Sequence, residues 1–483
     1  GKAFQFSMYV LRVNIEFLIL VSIFMDLCVP LNECKFDIRA SPDDKSQYGV
    51  VYTPLRLIET MFAMLPHHVF EQPDTRWLDP GAGTGHFSLV LYHRLMRGLE
   101  GSIHDKTLRH QHIIDKMIYM VETIPSSVDR LRGLFGKDAN IIQGDFTTVS
   151  IDKYFDFVVG NPPYNGSGLK KVPTNSVRKK KNDGHTMWVP FVKRSVSLLK
   201  PDGRLLFIIP SIWMKPDKAG MYEFMTRLNI ERIRCMTNTQ TNQMFSGEAQ
   251  TPTCCVLLRN RVTDGIVGLF DTNRQVYVKY VLRDKIPIPI FGAAIVTKFL
   301  SVISRCGSLS VTKTNMPSVG ASVSPIPRPE HLYRNIKTCL LRGTEPVLIV
   351  NYSNQKLAFA GVPKLILAHK MYGFPYLDVG GEFGISNRDN YVIAGCEIGD
   401  LKRIQAFLST RTALYIFEST RYRMRYLEKY AFDFIPDITK LSDFPEVIDD
   451  VSIAQYFGLD DEDTSHIQNL HRKAYSFTPS AQN

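Results

Sequence analysis

Short apolar runs alternate with longer segments of helical spacing between about residues 75 and 262 of the chain. Apolar runs bounded by glycine or proline are typical of buried strands, whereas apolar residues at roughly every third or fourth position are typical of helices. These patterns predict strands at RWLD, MIYMVE, NIIQGD, FDFVVGN, RLLFIIP, IERIRCM and TCCVLLRN, helices at HFSLVLYHRLM, SSVDRLRGLFG and MWVPFVKRSVSLL, and a turn at KPDG. Such alternation predicts an α/β fold, with a mainly parallel sheet covered by helices on both faces.

The same pattern divides the chain into three regions. We predict a hydrophobic, helical N-terminal extension over 1–44, the α/β domain over 45–262 and a second domain of α+β type over 263–483. In the last region, shorter strands and turns are predicted in KLILAHKMYGFPYLDVGGEFGISNRDNYVIAG, followed by one helix over DLKRIQAFLSTRTALYIFEST.

Composition narrows the class of protein. A net charge of +11 is explained either by a generally basic surface or by a polyanionic partner such as nucleic acid. The eight cysteines include no CxxC pair, so we expect no metal site, and scattered thiols favour a reducing, intracellular compartment over secretion. The apolar run FLILVSIFM, between Glu16 and Asp26, is too short to span a bilayer, so we expect no stable membrane insertion.

A basic segment, KKVPTNSVRKKKND at 170–183, has no apolar period. Two interpretations remain open for it: a solvated surface loop, or a loop that contacts phosphates. Its candidate nucleic-acid contacts are Lys170, Lys171, Arg178, Lys179, Lys180 and Lys181.

A glycine-rich turn follows the first predicted strand in WLDPGAGTGHF. The strand ends at Asp79, and Gly81, Gly83 and Gly85 lead into a helix. Glycines at this spacing let the backbone turn sharply and approach a ligand closely. A nicotinamide-binding fold gives a similar pattern, so this loop alone does not choose the cofactor.

Two further carboxylates follow the next predicted strands. Glu122 ends the second strand, where a carboxylate can accept both ribose hydroxyls of an adenosine group. Asp145 ends the third, where it is suitably placed to accept from the exocyclic amine of a bound adenine. Each one taken separately can also be a helix N-cap or a surface acid at a strand end. Together with Asp79, they predict an adenosine-containing cofactor.

The stretch GNPPY follows the fourth predicted strand and is conformationally stiff. Consecutive prolines fix φ and remove two backbone donors, so carbonyl acceptors are held in place. The Asn161 side-chain oxygen and the Pro162 carbonyl can accept both hydrogens of one NH2 group. This polarises the nitrogen for attack on a sulfonium methyl without an enzyme nucleophile or a metal. Pro163 stiffens the same tip, and Tyr164 can stack on a planar base removed from its duplex. A proline-stiffened turn with a capping asparagine is the structural alternative.

These motifs resemble the TaqI-like, gamma-class DNA adenine methyltransferases of restriction–modification systems, phages and large viruses. GNPPY, DPGAGTG upstream and YTP before both occur in the order found in that family. The resemblance implies a Rossmann-like catalytic sheet and S-adenosylmethionine as cofactor. It implies that Thr53, Pro54 and the glycine loop hold the methionine part of the cofactor, Glu122 its ribose and Asp145 its adenine.

The resemblance also implies candidate DNA contacts. Phe245 occupies the place where the family has an aromatic residue that packs on the flipped base, although a core position is the alternative. The C-terminal region resembles a target-recognition domain. In TRYRMRYLEKY, Arg421, Arg423 and Arg425 occur together with Tyr422 and Tyr426, a mixture of charge and stacking surface that is typical of nucleic-acid binding. A strand would place these arginines on one face, while the flanking LEKY favours a solvated helix.

The function predicted from the sequence is site-specific methylation of adenine N6 in double-stranded DNA, by base flipping and direct transfer. A cognate restriction endonuclease is a candidate partner. Alternatives are methylation of cytosine N4, a protein glutamine or RNA amino-methyltransferase, a bifunctional enzyme that also cuts DNA, and a DNA-binding protein with an inactive catalytic fold. The presence of Asp79, Glu122, Asp145 and the NPPY stretch argues against the last of these alternatives.

Overall fold

The computed structural model describes residues 52–165, 186–216, 220–249, 251–313, 320–342, 345–369, 374–423 and 427–470. The predicted N-terminal extension and the basic segment at 170–181 therefore lie outside the described residues, as does Arg425. The chain divides into two compact units. One comprises residues up to Ser211 together with Ala219–Gly268, and the other comprises Ile212–Lys218 and the residues from Leu269 onward.

The first unit is built on a mixed sheet. Its strands are β1 (Trp77–Asp79), β2 (Ile118–Glu122), β3 (Asn140–Gln143), β4 (Phe155–Gly160), β5 (Leu199–Pro210), β6 (Leu228–Met236) and β7 (Thr253–Val262). They lie in the order β3-β2-β1-β4-β5-β7-β6. The pairs from β3 to β5 are parallel, and β7 runs antiparallel to both β5 and β6. The predicted α/β class is confirmed.

The sheet is stabilised by an aromatic core beside β1. Trp77 is fully buried and stacks on Phe157, its register partner on β4, with ring centroids 3.9 Å apart. Phe70 stacks on Trp77 at 5.5 Å. Because large aromatic rings bury much apolar area, this stack fixes β1 against β4. The carboxyl ends of these two strands are consequently held together.

Among its described residues, the first unit has helices at the three predicted segments and at four further places. They are α1 (Leu55–Phe62), α2 (His86–Gly98), α3 (Lys106–His112), α4 (Pro125–Phe135), α5 (Trp188–Ser197), α6 (Met221–Thr226) and α7 (Asn238–Met244). The sequence accounts for the start of α4, because Pro125 occupies its first turn, where no backbone donor is lost.

The predicted turn at KPDG does not begin a new strand but lies inside β5. Phe155 pairs with Leu199, and Phe157 pairs with Arg204, so the KPDG residues form an excursion between two paired stretches. Asp202 adopts a left-handed conformation with φ 63° at its tip. The sequence pattern predicted a turn followed by a separate strand, because it does not show that the residues on both sides of the turn pair with β4.

The second unit contains two smaller sheets. Their strands are β10 (Thr312–Lys313), β11 (Val323–Ser324), β12 (Tyr333–Arg342), β13 (Glu345–Ser353), β14 (Lys364–Ala368), β15 (Tyr376–Asp378), β16 (Gly384–Ile385) and β17 (Asn390–Ala394). Two further strands, β8 (Ile266–Asp271), at which the chain passes from one unit to the other, and β9 (Val276–Val281), belong to neither of these sheets. One sheet has the order β10-β17-β14-β15 and the other β11-β13-β12-β16.

The helices of the second unit correct one prediction. They are α8 (Ala293–Cys306), α9 (Ile398–Leu408), α10 (Arg411–Ser419), α11 (Asp450–Tyr456) and α12 (Asp461–Gln468). The single helix predicted over DLKRIQAFLSTRTALYIFEST is in fact two, α9 and α10. The Thr410 hydroxyl accepts a hydrogen bond from the Ala413 N–H and caps the second one. In the part of the chain that the structure describes, no helix has both the length and the apolar character needed to cross a membrane.

Candidate active site

The glycine loop connects β1 to α2 through two left-handed residues. Gly83 has φ 53° and Gly85 has φ 93°, conformations that favour glycine over other residues. A Cβ at Gly85 would lie 2.9 Å from Leu131 Cδ2, so packing against α4 also excludes a side chain. At Gly81, by contrast, the nearest atom to a Cβ would be Phe191 Cε1 at 3.7 Å. The second and third glycines are thus required by the turn itself.

Asp79, at the end of β1, is a buried carboxylate. Its side chain is 2% exposed, and Oδ2 accepts a hydrogen bond of 2.9 Å from Ser88 Oγ. Burial raises the pKa of Asp79 to about 7, while hydrogen bonds from the Ser88 hydroxyl and from the Gly81 and Ser88 backbone N–H groups lower it in part. Oδ1 is buried and accepts no hydrogen bond of ordinary geometry from the described residues. A cationic or N–H ligand group at this oxygen would satisfy it.

Glu122, at the end of β2, joins two neighbouring loops. Its Oε2 accepts from the Gly83 N–H at 2.7 Å, and its Oε1 accepts from the Ile124 N–H at 2.8 Å. An ionised carboxylate has about four acceptor positions, so ribose hydroxyls can still bind beside these two backbone donors. The side chain predicted to hold the ribose therefore also holds the glycine loop in place.

Asp145 follows β3 and is exposed. Its Oδ1 accepts from the backbone N–H of Thr147 at 2.8 Å and from the Thr147 hydroxyl at 2.7 Å. Asp145 thus forms a local turn with Thr147 and is an exposed acid beyond a strand end, which is one of the alternatives that the sequence left open. Next to it, Phe146 is buried and its ring lies 5.0 Å from that of Phe191.

The NPPY segment begins directly after β4. Asn161 Nδ2 donates a hydrogen bond of 2.9 Å to Oγ1 of Thr53, which is itself 5% exposed. A Cβ at the preceding Gly160 would lie 3.3 Å from Asp79 Oδ1, so the start of this segment passes close to the Asp79 carboxylate. Pro162 is buried and Pro163 partly buried.

Tyr164 is partly exposed, but its hydroxyl oxygen is buried and has no hydrogen-bond partner among the described residues. Burial raises the pKa of the Tyr164 hydroxyl well above its ordinary value, and the neighbouring Cys255 and Cys254 thiols act in the same direction. The hydroxyl therefore stays neutral and cannot act as a base at physiological pH.

Four predicted site segments meet at one edge of the sheet. Asp79, Glu122, Asp145 and Asn161 stand at or just beyond the carboxyl ends of β1, β2, β3 and β4, which are neighbours in the sheet. Ligands of open α/β sheets bind in crevices at this edge. The edge offers three carboxylates, a sharp glycine turn and a rigid asparagine tip within one unit.

Sequence reasoning missed several side chains around the loop. The Tyr52 ring lies 5.6 Å from that of His86, in an edge-on arrangement, and its Cε1 would be 3.8 Å from a Cβ at Gly83. Burial lowers the pKa of His86 to about 4, so this imidazole is neutral. The position of Tyr52 next to Thr53 in YTP was the available signal for it. No comparable signal marked Ser88, whose role depends on the helix turning its hydroxyl towards Asp79.

Three of the predicted nucleic-acid contacts lie among the described residues but not at this edge of the sheet. Phe245 is 3% exposed, which favours its core alternative. Arg421 pairs with Glu418 at 3.2 Å and its side chain is 13% exposed, whereas Arg423 is 55% exposed. Neither arginine lies in a strand or a helix; a short 3-10 helix begins later, at Lys429–Phe434. The aromatic residue between them, Tyr422, is buried and donates to the Ile288 carbonyl, so it offers no stacking surface.

Comparisons with known proteins match the segment that contains most of this edge of the sheet. A family model described as Eco57I restriction-modification methylase matches residues 84–245, which include Glu122, Asp145 and the NPPY segment. Type II methyltransferase M.PaeR7I of Pseudomonas aeruginosa is 26% identical over 197 residues, covering 36% of this chain and 33% of that protein.

Two further relatives have names that describe different kinds of methyltransferase. Modification methylase CviBIII of Paramecium bursaria Chlorella virus NC1A is 28% identical over 256 residues, covering 52% of this chain and 58% of that protein. A tRNA1(Val) (adenine(37)-N6)-methyltransferase of Pedobacter heparinus is 26% identical over 133 residues, covering 28% of this chain and 51% of that protein. This chain thus covers less than two thirds of each relative's length. The resemblance of the catalytic segment to restriction–modification methylases is confirmed.

Proposed function

We propose that this chain is an S-adenosylmethionine-dependent methyltransferase that acts on the exocyclic N6 amine of adenine in double-stranded DNA. The observation that carries the proposal is the placement of the NPPY segment beside Asp79, at the edge where three strand-end carboxylates meet. This arrangement supports a polarised amine next to a bound cofactor. The match of residues 84–245 to a restriction-modification methylase family supports the same reaction.

The cofactor residues fit the proposed group in charge and space. S-adenosylmethionine, when bound, supplies an electrophilic methyl group on a sulfonium. The buried Oδ1 of Asp79 suits the ammonium of its methionine part, since that contact satisfies an otherwise unsatisfied buried oxygen. Glu122 would hold the ribose, and Asp145 the adenine. Room at Gly81, beside the Phe191 ring, suits a close approach by the ligand.

The chemistry at the substrate requires positioning rather than a covalent enzyme intermediate. The Asn161 side-chain oxygen and the Pro162 carbonyl would accept the two hydrogens of the adenine amine, which draws the nitrogen lone pair out of conjugation. Tyr164 would stack on the base. The tyrosine hydroxyl is held neutral by burial, so its contribution is the ring face and not proton transfer.

We further propose that the region from 263 onward recognises DNA. The net charge of +11 supports a polyanionic substrate, and Arg423 remains an exposed cation in this region. RNA is the second candidate substrate, because one relative carries the name of a tRNA adenine-N6-methyltransferase. The proposed role of Asn161, which accepts a hydrogen bond from the adenine amine, is the same for DNA and RNA.

The decisive test is methyl transfer from radiolabelled S-adenosylmethionine to unmethylated genomic DNA, total RNA and a protein extract in parallel. Digestion to nucleosides should place the label in N6-methyladenine from DNA. Label in N4-methylcytosine would change the target base. Label confined to RNA or protein would overturn the DNA assignment and favour the corresponding amino-methyltransferase. S-adenosylhomocysteine in excess should suppress every true product.

A further inference from the structure

Four cations from separate segments converge in the second unit. Lys215 Nζ lies 3.3 Å from Glu428 Oε2, and Arg423 Nε lies 3.5 Å from the other oxygen of the same carboxylate. The Glu428 side chain is 12% exposed, and this largely buried carboxylate is shared by the two cations. Lys313 adds a third positive charge, which interacts with Glu428, and Arg388 adds a fourth, which interacts with Lys313.

Lys313 forms no ion pair with a carboxylate of the described residues. Its ammonium lies 5.3 Å from the centre of the Tyr391 ring, its register partner on β17, and the described residues contain no carboxylate within ion-pair distance of it. Burial lowers the pKa of Lys313, and the more distant Glu428 and Asp389 offset this only in part. The Tyr391 hydroxyl donates to the Leu427 carbonyl at 2.8 Å, which holds the ring beneath the ammonium.

The local charge balance favours an anionic ligand. Two cations, Lys215 and Arg423, pair with Glu428, while the charges that act on Lys313 are those of Glu428 and Asp389 against those of Arg388 and Lys215. A partly buried ammonium without a carboxylate partner is stabilised when an anion approaches it. Lysine and arginine side chains that meet in this way are typical contacts to the phosphates of nucleic acid, which position the protein without reading sequence.

We propose that Lys313 and Arg388, supported by Lys215 and Arg423, form a phosphate-binding site for the DNA backbone. This assignment rests on the proposed function, because the phosphate is that of the proposed substrate. Asp389, next to Arg388, accepts the His369 N–H through its carbonyl at 2.7 Å, so the segment that carries Arg388 is tied to β14 and β17. The site is therefore built on paired strands.

The test is the salt dependence of binding to a fluorescent DNA duplex, between about 50 and 200 mM salt. Lys313→Gln and Arg388→Gln should each weaken binding and each reduce the slope of log Kd against log salt by about 1. Lys313→Arg, which keeps the charge, should retain the slope. Lys402→Gln, the same charge change at an exposed residue of α9, is the matched control. Thermal melting shows whether each variant is folded.

Two outcomes would overturn the site. Slopes of Lys313→Gln and Arg388→Gln equal to that of the wild type would do so, as would an equal drop in Lys402→Gln. The same preparations should be assayed for label transfer to DNA. A wild-type protein that labels DNA while the variants bind normally leaves the proposed function standing and removes only this site. A wild type that labels no DNA removes the proposed function.

A separate observation, in the first unit, concerns Thr53. Its hydroxyl accepts from Asn161 Nδ2, and the chain around it is fixed because the Pro54 carbonyl accepts from the Leu57 and Ile58 N–H groups that begin α1. The terminal torsion of asparagine is broad, so an amide without such a contact rotates readily. We infer that Thr53 is a positioning residue that holds the Asn161 amide in the orientation needed at the substrate amine.

Thr53→Val separates this role from the cofactor contact that the family resemblance implies. We expect kcat to fall by about tenfold to a hundredfold, because a misplaced reacting group loses orientation, while the Kd of S-adenosylhomocysteine is unchanged. Thr53→Ser should restore kcat. A weaker Kd with unchanged kcat at saturating cofactor would instead make Thr53 a cofactor-binding residue. Unchanged values of both would also overturn the inference. Detectable transfer by the wild type is the check that the proposed function itself stands.

Discussion

Asp79→Asn should give a more stable protein that no longer binds cofactor. Burial raises the pKa of Asp79 from 3.8 to about 7, so its ionised form destabilises the folded state. Removing this charge should raise the free energy of unfolding by about 2 to 4 kcal/mol at pH 8, since each unit of pKa shift corresponds to about 1.4 kcal/mol. The asparagine oxygen can still accept from Ser88 Oγ, which keeps the local hydrogen bond.

The sign of the pH dependence follows from the raised pKa. Below about pH 4 the carboxyl is protonated in both folded and unfolded chains, so wild type and variant should have similar stability. Between about pH 4 and 7 the unfolded chain loses this proton first, and the wild type loses stability relative to the variant. Above pH 7 the difference is constant. Thermal melting at pH 5, 6, 7 and 8 should therefore show a gap in Tm that widens and then levels off.

Cofactor binding supplies the second half of this prediction. S-adenosylmethionine should raise the Tm of the wild type and leave that of Asp79→Asn unchanged, because the buried Oδ1 has lost its negative charge. Asp138→Asn, the same change at an exposed position, should alter the free energy of unfolding by less than about 0.5 kcal/mol. A destabilised Asp79→Asn at pH 8 would contradict this account, since it would mean that the hydrogen bonds of the carboxylate outweigh the cost of burying its charge.

The sequence predicted those candidate site residues that directly follow a predicted strand. Asp79, Glu122 and Asn161 each follow an apolar run, and parallel strands place such residues at one edge. What the sequence could not give was how these residues contact each other. Glu122 holds the Gly83 N–H across 39 positions, and Asn161 reaches Thr53 across 108. Contacts of this kind depend on tertiary packing, which has no local signature.

The second unit shows the same limit more strongly. The alternation of charged and aromatic residues in TRYR predicted a stacking surface, yet Tyr422 is buried and bonds to Ile288, 134 positions away. Arg421 is held by Glu418, and burial raises the pKa of Glu418 to about 7. Composition indicated a basic region, but the candidate phosphate site around Lys313 joins segments from distant parts of the chain.

Asn161→Ala should lower methyl transfer by about a thousandfold or more, because it removes an acceptor placed where the amine nitrogen becomes nucleophilic. The fold should survive, since Asn161 is partly exposed and lies after β4 rather than within it. Cofactor affinity should change little. Single-turnover transfer at saturating S-adenosylmethionine measures the chemical step, and Asn469→Ala, the same truncation at an exposed position, is the control.

Asn161→Asp keeps an acceptor but loses the Nδ2 donor to Thr53, so its rate should lie between those of wild type and Asn161→Ala. Equal rates for wild type and Asn161→Ala would remove the asparagine from the mechanism, whereas a fall in cofactor affinity alone would make it part of the cofactor site. A graded loss in which Ala is slower than Asp, with unchanged cofactor affinity, is the pattern expected of an acceptor at the amine.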